Sequence, residues 1–344
     1  MLRSVFTIVF IGVYLFIKGQ TIGGHAVYNF LKLPASPKLS SLGGVNVSYS
    51  NDDVGLAVNN PAILNESLHT QLALSFNSFF ASTKAYHLAG AYHSNKINTA
   101  FGGSIFFVDY GNIPQTNAAG NMEGTFHPTD FAIQFSASKK YLEKWQYGLS
   151  VKFIHSNYGQ YRSSGLAFDA GVFFNDSVNL FSAGLVAKNM GMQLSSYNNE
   201  KEDLPFDLQA GITKRLAKAP LGFSMSAQQI HQLNILYNDT TFNNENGFTS
   251  TPSFLNKFFN HFIFATHIYL GKNLEMNIGY NRLRRYELNM GSAGNGLNGF
   301  STGFKARFNK LHFQYARAWF QRAFAYNQLG VNIHLNKLFS LSEL

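Results

Sequence analysis

The chain has 344 residues, of which 13% are charged and 15% aromatic, with 34 Phe and 17 Tyr. A soluble domain carries about 25% charged residues, so the surface of an ordinary soluble enzyme is a poor fit. The formal net charge is +9, and the absence of cysteine excludes disulfides, thiolate metal sites, cysteine nucleophiles and an N-terminal lipoprotein cysteine together.

In chain order, Arg3 gives a short basic start, Val5 to Ile17 an apolar run, and Lys18-Gly19-Gln20 a polar end. That order predicts a secretory signal peptide over residues 1–19. The run is shorter than the roughly 20 apolar residues a spanning helix needs, which argues against a membrane anchor. Without Arg3 and Lys18 the charge is +7, from 25 basic against 18 acidic residues. No later stretch reads as a transmembrane helix, and mean hydropathy is −0.09. Strands that alternate lipid-facing with lumen-facing residues average out in this way.

Residues 20–69 form a different kind of segment. Pro34, Pro37, Pro61, Gly23-Gly24, Gly43-Gly44 and Asn59-Asn60 favour turns and short irregular pieces over a long strand. This stretch is predicted to be a plug or hatch at the periplasmic base of the barrel that follows.

Fourteen strands are predicted beyond it: 70–78, 84–93, 97–109, 128–139, 145–156, 162–174, 178–189, 204–216, 220–232, 260–271, 273–283, 299–308, 310–319 and 326–336. In the fifth, Trp145, Tyr147, Leu149, Val151 and Phe153 share one face and Gln146, Gly148, Ser150 and Lys152 the other. A soluble sandwich has the same period, but its polar face would be rich in Lys and Glu. Here that face holds Gly, Ser, Asn and Gln with scattered charges such as Lys152, Asp169, Arg215, Glu275, Lys305 and Arg307, which suits a crowded lumen. From the second onward, every even-numbered connection is tight, and the long ones, around 110–127, 190–203, 233–259 and 284–298, are all odd. Strands running up and down put odd connections at one end and even ones at the other. The predicted fold is therefore all-β, an up-and-down antiparallel transmembrane barrel over residues 70–336, with residues 337–344 as a periplasmic C-terminal tail. Phe79-Phe80, Tyr92, Tyr110, Tyr158, Tyr161, Trp319-Phe320 and Tyr326 sit near strand ends, as aromatic girdles do.

Enzyme patterns match by letter alone. Gly299-Phe300-Ser301-Thr302-Gly303 satisfies G-x-S-x-G, yet it opens a strand where a nucleophile elbow needs a strand, a turn and a helix. Gly294 to Gly299 satisfies G-x-G-x-x-G with no helix behind it to hold a phosphate. His261 and His267, six apart on one strand, are about 20 Å from each other and cannot share a metal; His87 and His93 fail in the same way. No catalytic residue, metal or cofactor is predicted. Arg282, Arg284 and Arg285, with Arg317 and Arg322, lie at the long-loop end, where guanidiniums could meet lipopolysaccharide phosphates or a partner; a solvated rim is the plainer reading. The loops Leu233 to Asn260 and Leu283 to Asn298 are polar and placed to bind a partner, with disorder the equal alternative.

The letters around Asn60-Pro61-Ala62, before fourteen strands, resemble the FadL-like outer-membrane family and its N-terminal hatch. More closely, Tyr28 to Ser36 with Leu33 and Pro34, Leu42-Gly43-Gly44, and Asp53 to Ala57 leading into Asn59 to Leu64 resemble the PorQ-like outer-membrane proteins of the type IX secretion system. The resemblance implies a non-enzymatic outer-membrane role after signal-peptide removal. It implies a scaffold of a cell-surface attachment complex that anchors a PorZ-like surface protein through its long loops, beside sortase-like and PorV-like components and lipopolysaccharide. The alternative it leaves open is a FadL-like channel for uptake of hydrophobic small molecules. Nucleic-acid binding is set aside, because a signal peptide and a barrel would place the rim arginines outside the cytoplasm.

Overall fold

The computed structural model describes residues 26–50, 52–235, 253–287, 296–320 and 325–336. The predicted signal peptide, the tail 337–344 and Arg322 lie outside these residues. Fourteen antiparallel strands close into a barrel: β1 (Gln71–Ser78), β2 (Lys84–Ser94), β3 (Thr99–Asp109), β6 (Thr129–Tyr141), β7 (Trp145–Tyr158), β8 (Tyr161–Asp176), β9 (Phe181–Ser195), β10 (Asp207–Arg215), β11 (Leu221–Ala227), β12 (Phe262–Leu270), β13 (Leu274–Asn281), β14 (Phe300–Phe308), β15 (Leu311–Trp319) and β16 (Ala325–His334). Each predicted strand corresponds to one of them. A small hairpin, β4 (Ile113–Thr116) with β5 (Met122–Phe126), stands in the connection between β3 and β6. Pairing β1 with β16, from Gln71↔His334 to Ser78↔Asn327, closes the sheet and removes its edges. Among the described residues no helix is long and apolar enough to cross a membrane.

Alternation sets inside from outside. On β7, Trp145, Tyr147, Leu149, Val151 and Phe153 are exposed on the outer wall, while Gly148, Ser150 and Lys152 are buried in the lumen. The same parity revises the aromatic girdle. Tyr92, Tyr161 and Phe80 are exposed. Tyr110 and Tyr158 turn inward and donate to Asp130 Oδ2 at 2.6 and 3.0 Å, and Tyr326 is buried beside Ser40. Position near a strand end did not tell which face each ring takes.

The core lies inside the barrel, made by the N-terminal segment against the wall. Large apolar side chains come mainly from the plug and small ones from the strands: Val54, Leu64 and Leu68 pack on Ala73, Ala89 and Ala100, and Leu39, Leu42, Tyr49 and Leu56 pack on Ala265. The segment also reaches further than the sequence placed it. Ala26 bridges Asp203 in the long connection before β10, and Phe30 meets Phe106 near the same end of β3. From there the chain threads the lumen and leaves at the short-turn end into β1.

Candidate functional site

The plug is a series of short helical turns, and after the first, Asn29–Lys32, each is started by a side-chain cap. Ser36 Oγ accepts from Leu39 N at 3.3 Å and Pro37 follows at the first position of α1 (Pro37–Ser41). Asp53 Oδ1 accepts from Gly55 N at 2.9 Å to start α2 (Val54–Ala57). Asn60 Oδ1 accepts from Ala62 N at 3.1 Å to start the 3-10 turn Pro61–Ile63. After α1 the chain turns at Gly43 and Gly44, both at positive φ (91° and 97°), where Gly44 N donates to Leu39 O at 2.9 Å. These motif letters therefore do local work first: they break the segment into pieces that fit a lumen.

They also grip the wall. Asp53 accepts from Gln314 Nε2 at 2.9 Å and from Asn332 Nδ2 at 2.8 Å. Gly43 N donates to Ser301 Oγ, and Ser301 Oγ donates to Ser41 O, each at 3.1 Å, so the hydroxyl of the G-x-S-x-G letters pins the plug. Leu42 is fully buried, and Pro34 O accepts from Gln328 Nε2 at 3.3 Å. Leu33 is half-buried against the cluster of Val27, Tyr28 and Phe30. Asn60-Pro61-Ala62 lies in a groove of inward glycines. A Cβ on Gly148 would meet the Pro61–Ala62 backbone, one on Gly171 the Asn60 amide oxygen, and one on Gly184 the Val47 carbonyl. Gly148 pairs with Gly171 across β7 and β8, and Gly184 with Gly211 across β9 and β10.

Buried and half-buried ionic contacts join plug to barrel at the short-turn half. Lys38 pairs with Glu275 and donates to Asn277 Oδ1 at 2.8 Å. Tyr49 donates to the same Glu275 oxygen at 2.7 Å and stacks on His267 with centroids 4.3 Å apart. Asp52 meets Lys305 Nζ at 2.7 Å and Arg307 Nη2 at 3.1 Å. Burial alone would raise the Asp52 carboxyl, but Lys305, Arg307 and His312 hold it below its ordinary value.

Above this lies a cavity of about 110 Å³ between plug and wall. Leu33, Leu39, Val58, Phe106 and Ala132 give it an apolar side; His87, Gln134, Lys152, Lys188 and Gln209 give it a polar one. A β-bulge shapes the polar side. The β8–β9 register shifts between Phe168 and Ala170, Asn189 adopts φ 57°, and its amide donates to Asp169 Oδ1 at 2.8 Å. Lys152 pairs with Asp169 at 2.6 Å, whereas buried Lys188 donates to a neutral amide, Asn59 Oδ1, at 2.5 Å. His87 is buried with Nε2 lacking a hydrogen-bond partner among the described residues. Lys152 was legible in the sequence as a luminal charge and His87 stood out only as a failed metal ligand, while Lys188 did not stand out at all, because the bulge and the cross-strand register that bring them together leave no local signal.

The rim arginines do not form one cluster. Arg282, Arg284 and Arg285 share α4 (Arg282–Glu287), yet their guanidiniums part. Arg282 donates to Asn256 Oδ1 at 3.0 Å on the outer side. Arg284 turns inward to Gly43 O at 3.2 Å and stacks on Phe320. Arg285 holds the carbonyls of Gly296 and Asn298, each at 3.2 Å. Arg317 lies over Trp319 on β15, 5.6 Å from the ring centroid. Parts of both partner loops, 236–252 and 288–295, lie outside the described residues.

A closed fourteen-stranded antiparallel barrel with an N-terminal plug in its lumen is the FadL-like outer-membrane fold. Among solved structures the chain is similar to the monoaromatic hydrocarbon channel CymD, at 12% identity over 89% of this chain and 97% of that one, with a TM-score of 0.53. It is also similar to the P. putida toluene transporter TodX, at 12% identity over 88% and 97% with a TM-score of 0.50, and to a Pseudomonas aeruginosa FadL homologue, at 11% over 87% and 98% with a TM-score of 0.50. At these identities the likeness is one of fold. No family profile matches the chain, and no curated protein matches it.

Proposed function

We propose that this chain is a non-enzymatic outer-membrane channel that admits a small, partly apolar molecule past its N-terminal plug. The observation that carries the reading is the cavity between plug and wall, with Phe106, Leu33 and Ala132 on one side and Lys188, His87 and Gln134 on the other. Its lining is apolar and polar in about equal measure, so the molecule it suits has an apolar body and a polar end, and polar groups that converge on a hollow are what orient a small molecule. The fold neighbours support the same reading, since one is described as a hydrocarbon channel and another as a toluene transporter. The test is uptake of labelled toluene and of a labelled fatty acid by cells that lack their own uptake barrel and express this chain in the outer membrane. Several-fold faster entry of either probe supports the channel. Background entry, with the barrel folded as judged by its heat-dependent gel migration, overturns it.

A second reading is the scaffold of a type IX attachment complex, with a PorZ-like surface partner, PorV-like and sortase-like neighbours, and lipopolysaccharide at rim arginines such as Arg317. Its support is the PorQ-like lettering of the plug, the buried pair Lys38–Glu275 and the half-buried pair Asp52–Lys305, which suit a fixed filler better than a moving hatch. Co-purification of a large surface protein with the tagged barrel supports the scaffold. Recovery of the barrel with lipid alone removes it.

A further inference from the structure

The helix α3 (Phe254–Phe259), just before β12, is built inside out for a loop in water. A surface helix normally turns its apolar stripe to the protein and its polar residues to solvent. Here Phe254, Leu255, Phe258 and Phe259 are 73, 61, 49 and 43% exposed, while Asn256 and Lys257 are half-buried against the protein. The orientation is fixed by a specific contact: Arg282 Nη2 donates to Asn256 Oδ1 at 3.0 Å, and the same guanidinium lies 5.9 Å from the Phe259 centroid. The apolar side is thus held outward.

That side continues a surface the fold already defines. Rings follow one another from Phe254 to Phe258 at 6.5 Å, Phe258 to Phe262 at 5.1 Å and Phe262 to Phe264 at 6.3 Å. Phe264 is on the outer face of β12, opposite in parity to the luminal Ile263, Ala265 and His267. The outer face of a barrel strand meets lipid, and a column of rings running off its top keeps the same partner. Exposed apolar surface of this extent marks an interaction site, and a short helix with an outward apolar face beside a bilayer fits the boundary between headgroups and acyl chains.

We infer that α3 is a membrane-surface foot, whose Phe254, Leu255, Phe258 and Phe259 lie in the outer leaflet beside the barrel. Its partner is the lipid surface itself. Arg282 keeps the foot flat against the wall through Asn256.

The chain has two tryptophans, so a single reporter can be placed in a Trp145→Phe, Trp319→Phe background. Phe258→Trp reports on the foot and Phe264→Trp on the strand below it. Each full chain is reconstituted in vesicles whose lipids carry bromine near the ester end of the acyl chain, and its emission is compared with that in unbrominated vesicles and with acrylamide in the water. The inference requires bromine to dim both reporters, roughly twofold for the foot, with acrylamide having little effect on either. Dimming at Phe264→Trp but not at Phe258→Trp overturns it, whether acrylamide then reaches the foot, meaning water, or does not, meaning a protein cover. Absence of dimming at both also overturns it, because the wall would not be in lipid. Arg282→Gln supplies an independent readout: releasing the helix should raise acrylamide quenching of the Phe258→Trp reporter, and an unchanged value removes the positioning role of Arg282.

Discussion

Glycine carries much of the information at the residue scale, because the plug touches the wall where side chains are missing. Gly171 is the sharpest case. A methyl group there would occupy the place of the Asn60 amide oxygen, which also caps the turn Pro61–Ile63. Gly171→Ala should therefore cost about 1–3 kcal/mol, the usual range for overpacking a filled interior. Gly103 is the matched control, since a Cβ there meets nothing within 4 Å. Gly103→Ala should change stability by less than about 0.5 kcal/mol. The temperature at which the barrel loses its fast gel migration separates the two; equal shifts would remove the glycine groove as a packing device. The letters of Ser36-Pro37, Asp53 and Asn60-Pro61 stood out in the sequence, and the reason is local: each is a cap, two of them followed by a proline that begins a turn. Their wall partners Gln314, Asn332 and Gly171 could not be read, since nothing local to either segment records which strands it will face.

Strands and plug differ as elements in how much the sequence reveals. A strand declares itself through a period of two and a turn at each end, so all fourteen were legible, including the narrow Lys272 and Asn309 connections. The plug has no period, and its course depends on contacts hundreds of residues away, such as Lys38 with Glu275. That pair is almost fully buried, with side chains 2 and 5% exposed. Lys38→Met would take from buried Glu275 the ammonium that balances its charge, while Tyr49 and His267 stay beside it, a change that costs up to about 3–5 kcal/mol in buried pairs. Adding Glu275→Gln should return much of that loss. Thermal unfolding of the two variants tests this, and a double variant no better than the single one would show that the pair is not the cause. Asp52 makes the second tie, and it responds to pH. Its carboxyl is held below the ordinary 3.8 by Lys305, Arg307 and His312, so its contribution is complete above that value and is lost as the pH falls below it through the folded-state pKa. Conductance of single barrels in a planar bilayer should rise as the pH drops below about 4, when the base of the plug loosens. In Asp52→Asn the tie is already weakened, so this step should be absent.

For the molecule as a whole, the direction of the plug decides what the barrel can do. A segment confined to the short-turn mouth could swing out without disturbing the long-loop face. The described part of this one begins at that face, where Val27 N donates to Asp203 O at 3.0 Å and Tyr28 contacts Ser163 near the start of β8, and it leaves at the opposite end. Movement of its lower half would leave the upper part attached to the loops, so a passage opened at the base need not release the cavity lined by Leu33 and Lys188. β1 rises from the short-turn end, as strand parity requires, but the length of the preceding segment, not its composition, lets it run back up the lumen. The chain contains no cysteine, which makes this course directly testable. A cysteine at Ala26 is half-buried at the long-loop end, and one at Val178 is fully exposed in the tight connection between β8 and β9. In intact cells with the barrel in the outer membrane, a membrane-impermeant maleimide should label Ala26→Cys and leave Val178→Cys unlabelled until the membrane is opened. The reverse pattern would invert the barrel. Labelling at neither position before opening would place the start of the plug away from the outer face and return it to the base of the barrel.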